Sequence, residues 1–140
     1  LLTATTTRAL PPSWRGDNDS ARAASWIRQR DSESAVSLAT ERASSLPVGL
    51  IVLFEAPCGD GSGRVEVRLG YVLAESAWGR GLGSELVAGF IEWCRSTPRV
   101  RSVAAGVGLD NNASARVLAK NGFTPIGPPV DGEQLYHLNL

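Results

Sequence analysis

At 140 residues, 43% hydrophobic and 20% charged, the chain has the length and composition of one globular domain that buries its own core without staples. Its formal net charge is zero and its arginines form no basic stripe, which argues against nucleic acid and an anionic membrane as partners. Cys58 and Cys94 give neither a disulfide framework nor a metal-ligand spacing, and no apolar run reaches the roughly 18 residues of a membrane span, so the expectation is a reducing, cytoplasmic setting without a metal.

The chain starts at Leu1 and holds no methionine, which leaves room for a natural N-terminus upstream. Residues 1–16 are Thr- and Pro-rich and read as an irregular lead-in. Asp17 or Asp19 caps a helix running to about Arg30, with Trp26 and Ile27 on its buried side. A short strand is expected at 35–41, where Val36, Leu38 and Thr40 alternate with smaller residues. The apolar run Val48 to Phe54 suits a strand buried on both faces. Residues 56–63 (APCGDGSG) are a turn, and Arg64 to Ala74 reads as the returning strand of an antiparallel hairpin.

Gly79 to Gly83 follows as a glycine-rich loop. Leu82, Leu86, Phe90 and Trp93 then recur at helical spacing until Thr97-Pro98 stops the helix, and this phase puts Trp93 on the core face, as Trp26 is on its own helix. Val100 to Leu109 reads as a strand. Asn111 to Lys120 is a short helix capped by Asp110 or Asn111 and closed by Gly122. Gln134 to Leu140 alternates as a last strand. The order predicts one mixed α/β domain.

Glycines at 79, 81 and 83 free the backbone to aim its N–H groups at one point, and the loop opens straight into a helix N-terminus. That is a cradle for phosphate or pyrophosphate, with Arg80 as an added charge; a tight turn without a ligand is the plainer reading of so short a motif. A dinucleotide fingerprint fits poorly, because Ser84 stands where a third glycine belongs and the preceding strand is part of a hairpin. A Walker A loop lacks its Gly-Lys-Ser/Thr.

Three stretches together carry a resemblance: Leu69-Gly70-Tyr71-Val72-Leu73, Trp78-Gly79-Arg80-Gly81-Leu82-Gly83, and Asn111 to Phe123 (NNASARVLAKNGF). They resemble the GNAT superfamily of N-acetyltransferases, most nearly the branch of the ribosomal-protein alanine N-acetyltransferases (RimJ/RimL type). The match is strongest over 65–127, faint over 46–55 and absent before that. Trp78 replaces the Gln or Arg of most superfamily members, as that branch tolerates.

The resemblance implies a single acetyltransferase domain over 1–140, with a cofactor-binding core at about 64–127. It implies a mixed, mostly antiparallel sheet flanked by helices, with room for a missing N-terminal strand. It implies acetyl-CoA as co-substrate, no metal, and a monomer or homodimer. The backbones of Val72 and Leu73 would bond the pantetheine arm. The amides of Gly79, Arg80, Gly81, Leu82, Gly83 and Ser84 would hold the pyrophosphate, and Asn111 would reach the cofactor from the other side. Taken alone, Asn111 reads as a helix cap and Ser114 as a surface helix residue.

The implied reaction is direct attack of a primary amine on the acetyl thioester, with a backbone N–H of Tyr71 or Val72 on the oxyanion. Leu118 stands where many relatives place an acidic Tyr; the resemblance suggests Ser114 as the substitute for protonating the thiolate, with water as the alternative donor. Glu66 is the candidate base, although it can also simply pair with Arg68 two residues on. His137 is read as structural or exposed, and Trp14 as core packing, with a wall of the substrate pocket as its alternative. The acceptor is expected to be a peptide N-terminus. The alternatives are a small-molecule amine, or a catalytically silent CoA-binding sensor or interaction module.

Overall fold

A computed structural model describes residues 1–8, 10, 15, 16 and 19–140 of the chain, Glu33 by its backbone alone. The lead-in is not wholly irregular. Ala4–Thr7 (α1) makes one helical turn because Thr3 and Thr6 cap each other: the Thr6 N–H donates to the Thr3 hydroxyl at 3.2 Å and the Thr3 N–H to the Thr6 hydroxyl at 2.9 Å. Asp19 caps α2 (Ser20–Glu33), accepting from the Arg22 N–H at 2.8 Å. The other cap candidate, Asp17, lies outside the described residues, as does Trp14. Trp26 is buried, but Ile27 is 38% exposed. Adjacent helix residues point about 100° apart, and of the two Trp26 turns to the sheet, where it joins Leu50, Val52 and Val72.

The strands β1 (Ala35–Thr40), β2 (Pro47–Pro57) and β3 (Val65–Leu73) form an antiparallel meander. Then come α3 (Leu82–Arg95), β4 (Val100–Gly108) and α4 (Asn112–Lys120), followed by β5 (Thr124–Val130) and β6 (Glu133–Asn139). One six-stranded sheet results, in the order β1-β2-β3-β4-β6-β5, antiparallel except where β4 runs parallel to β3. This is the mixed, mostly antiparallel architecture expected. Strand β5 was not expected, since Pro125, Pro128 and Pro129 lack the donors of a ladder. It lies at the sheet's edge, where missing donors face solvent, and its pairing with β6 breaks between Ile126 and Val130.

The two faces of the sheet differ. On one, Val67, Leu69, Val103 and Val107 pack against Val87, Phe90, Ile91 and Cys94 of α3 and Leu118 of α4. The buried stripe of α3 is Gly83, Val87, Phe90, Ile91 and Cys94, so its phase is one residue off the line through Trp93. Trp93 is 47% exposed and stacks on Phe90, ring centres 5.8 Å apart. On the other face a smaller core, Leu2, Trp26, Leu50, Val52 and Val72, covers β2 and the end of β3. That face of β4 and β6 carries Ser102, His137 and Glu133, and neither core extends over it.

Between the faces the sheet forks. β3 and β4 pair from Val65↔Val100 to Arg68↔Ala104 and then part. Beyond that point β3 stays with β2 as far as Leu73, and β4 with β6 as far as Gly108.

Candidate active site

The glycine loop sits at the fork because α3 starts there. Gly79 and Gly81 have φ of +69° and +80°, left-handed backbone that side-chain-bearing residues avoid, and Gly81 is the residue that caps α3. Gly83 is fixed by packing instead: a Cβ there would lie 3.1 Å from Leu73 Cδ1 and 3.5 Å from Val117 Cγ2. The amides of Gly79, Arg80 and Gly81 donate to no backbone acceptor among the described residues. Leu82, Gly83 and Ser84 are the helix's first turn, whose amides precede its first internal bond, Glu85 N–H to Gly81 C=O at 3.1 Å. Six consecutive amides, 79 to 84, therefore surround the positive end of the helix dipole, with Glu85 the acidic residue of that first turn.

The fork exposes backbone of a definite parity. The Ala74 N–H bonds Val48 C=O at 2.9 Å and the Val65 N–H bonds Arg99 C=O at 2.8 Å. Even-numbered β3 residues thus face β2 and odd-numbered ones face β4. Past Arg68 the odd groups lose their partner strand, so Tyr71 and Leu73 present theirs to the gap while Val72 bonds toward Leu50. The Leu73 carbonyl is already taken by the Trp78 indole N–H at 3.1 Å. An open cleft of about 780 Å³ occupies the fork, lined on one side by Tyr71, Gly83, Asn111, Ser114 and Val117 and on the other by Phe54, Arg68, Gly106 and Glu133.

On the helix side, the Tyr71 and Ser114 hydroxyls share a hydrogen bond of 2.9 Å. Burial pushes the Tyr71 phenol above its ordinary pKa, and the bond to Ser114 offsets this only in part. Asn111 caps α4, its Oδ1 accepting from the Ser114 N–H at 3.2 Å, which fixes the serine at the cleft wall.

A sequence profile of the acetyltransferase (GNAT) domain matches residues 3–124. The chain belongs to the GNAT acetyltransferases. These carry out acetyl-CoA-dependent N-acetyl transfer, and the free amides at the fork suit that cofactor's pyrophosphate. The fold matches that of a GNAT-family acetyltransferase from Bacillus anthracis at a TM-score of 0.79 and 15% identity, over 99% of this chain and 83% of the other. It is also similar to a ribosomal-protein-alanine N-acetyltransferase from Brucella melitensis (0.64, 22%, 88% and 80%) and to the acetyltransferase yncA from Salmonella typhimurium, solved with acetyl-CoA (0.63, 20%, 88% and 75%). No curated protein matches the chain in sequence.

Against this GNAT frame the sequence-derived candidates fall in different places. Gly79, Gly81, Gly83, Ser84, Val72, Leu73, Asn111 and Ser114 all line the cleft; Arg80, Leu82 and Glu66 do not. The Arg80 guanidinium pairs with Glu41 and donates to the Ser76 carbonyl at 3.4 Å. The Ser44 hydroxyl first, and Arg80 second, hold the Glu41 carboxyl below its usual range. Glu66 lies two residues short of the fork: its Oε2 accepts from Ser102 Oγ at 3.3 Å and is 3.4 Å from His137 Nε2, and its Oε1 is 3.9 Å from Arg68 Nε. Tyr71 and Glu133 were not singled out as side chains. Strand parity alone aims the first at α4, and the second enters through a strand 67 positions after Glu66 in sequence. Among the described residues no group of three His, Cys, Asp or Glu suits a metal ion, and no helix is long and apolar enough to cross a membrane.

Proposed function

We propose that this domain, spanning the chain with its cofactor-binding core at about 64–127, acetylates a protein N-terminal amine by direct attack on acetyl-CoA in a cytoplasmic setting. The observation that carries the reading is the run of unbonded amides from Gly79 to Ser84 beside a fork with unpaired β3 backbone. The loop amides hold the pyrophosphate. The gap-facing groups of Tyr71 and the Leu73 N–H pair with the pantetheine as an added strand would, and the Tyr71 N–H serves the developing oxyanion. Asn111, as the α4 cap, positions Ser114, and Ser114 with Tyr71 returns a proton to the departing thiolate.

Arg80 reaches a phosphate only by leaving Glu41, so its contribution to affinity is small. Glu66 acts at one remove, through its charge and through water, with Ser102, His137 and Arg68 around it. A peptide terminus is favoured by the width of the cleft, open to both faces of the sheet, and by the likeness to the alanine acetyltransferase branch.

Thiol release from acetyl-CoA, followed with alanine-initiated peptides and a panel of small amines, tests the reading. Peptides should be the better acceptors; preference for a free small amine would reassign the acceptor, and no turnover with any would reduce the domain to a CoA-binding module. Gly81→Glu should abolish cofactor binding, because it forces a side chain into left-handed backbone and sets a carboxylate against the pyrophosphate. Calorimetry showing wild-type affinity in that variant would remove the loop from the site.

A further inference from the structure

Two carboxylates line the fork beyond those of the reaction scheme, Asp110 just past β4 and Glu133 on β6. Ser102, Ala104 and Gly106 alternate with the buried Val103, Ala105 and Val107 of β4, so they point away from α3 and α4. Gly108 pairs with Glu133 and Gly106 with Leu135 in the β4–β6 ladder. The Glu133 side chain leans back along the strand: a Cβ built on Gly106 would lie 3.0 Å from its Oε2. The carboxylate therefore lies over the glycine at the fork's edge, in the space any side chain at 106 would claim. It lines the cleft, and it has neither a hydrogen bond nor an ion pair among the described residues. Glu66, by contrast, has Ser102 Oγ and His137 Nε2 close to it. From β3 the same cleft is lined by Tyr71, whose hydroxyl turns to the α4 face, and by Gly70, which adds no side chain to the wall.

We propose that Glu133 is the carboxylate that docks the acceptor's ammonium and relays its proton to solvent; this rests on the acetyl-transfer reading above. A primary alkylamine arrives protonated, R–NH3+, and an unpaired carboxylate at the open edge of the fork attracts it where hydrogen-bonded carboxylates would not. Carboxylates are generally weaker bases than alkylamines by about six pK units. Glu133 is exposed, so a proton passed to its carboxylate has water beside it to go to. The freed lone pair on nitrogen forms the N–C bond to the thioester carbonyl, whose π pair moves to oxygen. As that pair returns, the C–S bond breaks and the sulfur keeps its electrons. The nitrogen sheds its second proton to water, and the thiolate takes one from the Tyr71–Ser114 pair, which water replenishes. In sum, R–NH3+ and the acetyl thioester give the acetamide, the thiol and one released proton.

The assignment makes the need for Glu133 depend on the acceptor's basicity. Ethylamine and trifluoroethylamine are close in size, yet at neutral pH the first is a cation and the second largely neutral. Glu133→Gln should lower kcat/KM for ethylamine and for an alanine-initiated peptide by about 100-fold, and for trifluoroethylamine by less than about threefold. Glu133→Asp should recover part of the loss. Gly106→Ala, which crowds the carboxylate without touching the backbone ladder, should reproduce the selectivity in weaker form. Acetyl-CoA affinity by calorimetry should stay at the wild-type value in all three. Equal losses with cationic and neutral amines, or no loss with either, would overturn the role of Glu133 while leaving acetyl transfer in place. A wild-type chain that neither binds acetyl-CoA nor releases thiol would overturn both.

Discussion

Tyr71 sits on the last stretch of β3 whose side chains point toward α4, and its hydroxyl meets Ser114 at 2.9 Å. Leu118, where many relatives carry an acidic Tyr, is fully buried in the helix-side core and has no proton to give. A phenol held above its ordinary pKa by burial stays protonated through neutral pH, so it is a donor throughout the working range. Tyr71→Phe should therefore lower kcat about 10- to 100-fold while acetyl-CoA affinity stays unchanged. The sign of the pH effect follows from the shift. Because the folded pKa is raised, the acid form persists past pH ~10, and the alkaline limb of kcat should fall only beyond it. Ser114→Ala removes the interaction that pulls this pKa down, so it should move the limb further up. A limb that stays in place in both variants would assign the proton to water alone.

At the scale of elements, the fork depends on how β2 holds the end of β3. Among the described residues that end has no strand on its other side, and the β2 ladder from Gly49↔Leu73 onward is its sheet support. Gly49 lets the two strands approach: a Cβ there would fall 2.7 Å from the Val72 carbonyl oxygen and 2.8 Å from Leu73 Cδ2. The leucine tip can swing away, but the backbone oxygen cannot move without its strand. Gly49→Ala should cost about 1–3 kcal/mol in urea unfolding. It should also weaken acetyl-CoA binding, because Leu73 walls the cleft and its Cδ1 already stands 3.1 Å from the Cβ position of Gly83 on α3. Destabilisation without any change in affinity would mean that β3 shifts as a rigid unit and the fork tolerates it.

Across the whole molecule, what the sequence made legible was local and what it hid was relational. Glycines at 79 and 81 announce left-handed backbone by themselves, and Asn111 announces a cap; neither needs a distant partner to be read. The phase of α3 was missed because Trp93 extends the apolar line while the sheet receives Cys94 instead. Strand β5 was missed because its prolines are tolerable only at an edge, and edges are set by the complete strand order. Glu133 over Gly106 is a contact between strands far apart in the chain, which no spacing motif records. Cys94 ties these scales together. It is fully buried between α3 and the sheet, and burial alone pushes its thiol from 9.0 up to about 11. Between those values the unfolded chain releases a proton that the folded chain keeps, so the native state binds more protons and stability must fall as pH rises. At about 1.4 kcal/mol per unit the loss is roughly 2–3 kcal/mol over the window, none of it present below pH ~9. Cys94→Ala loses some packing at every pH and lacks this contribution to the slope, keeping that of Tyr71. Urea unfolding of both chains at intervals across this range should show the wild type's advantage at the neutral end shrinking steadily toward the alkaline end. Parallel curves would mean that burial does not hold the thiol's pKa up in the folded chain.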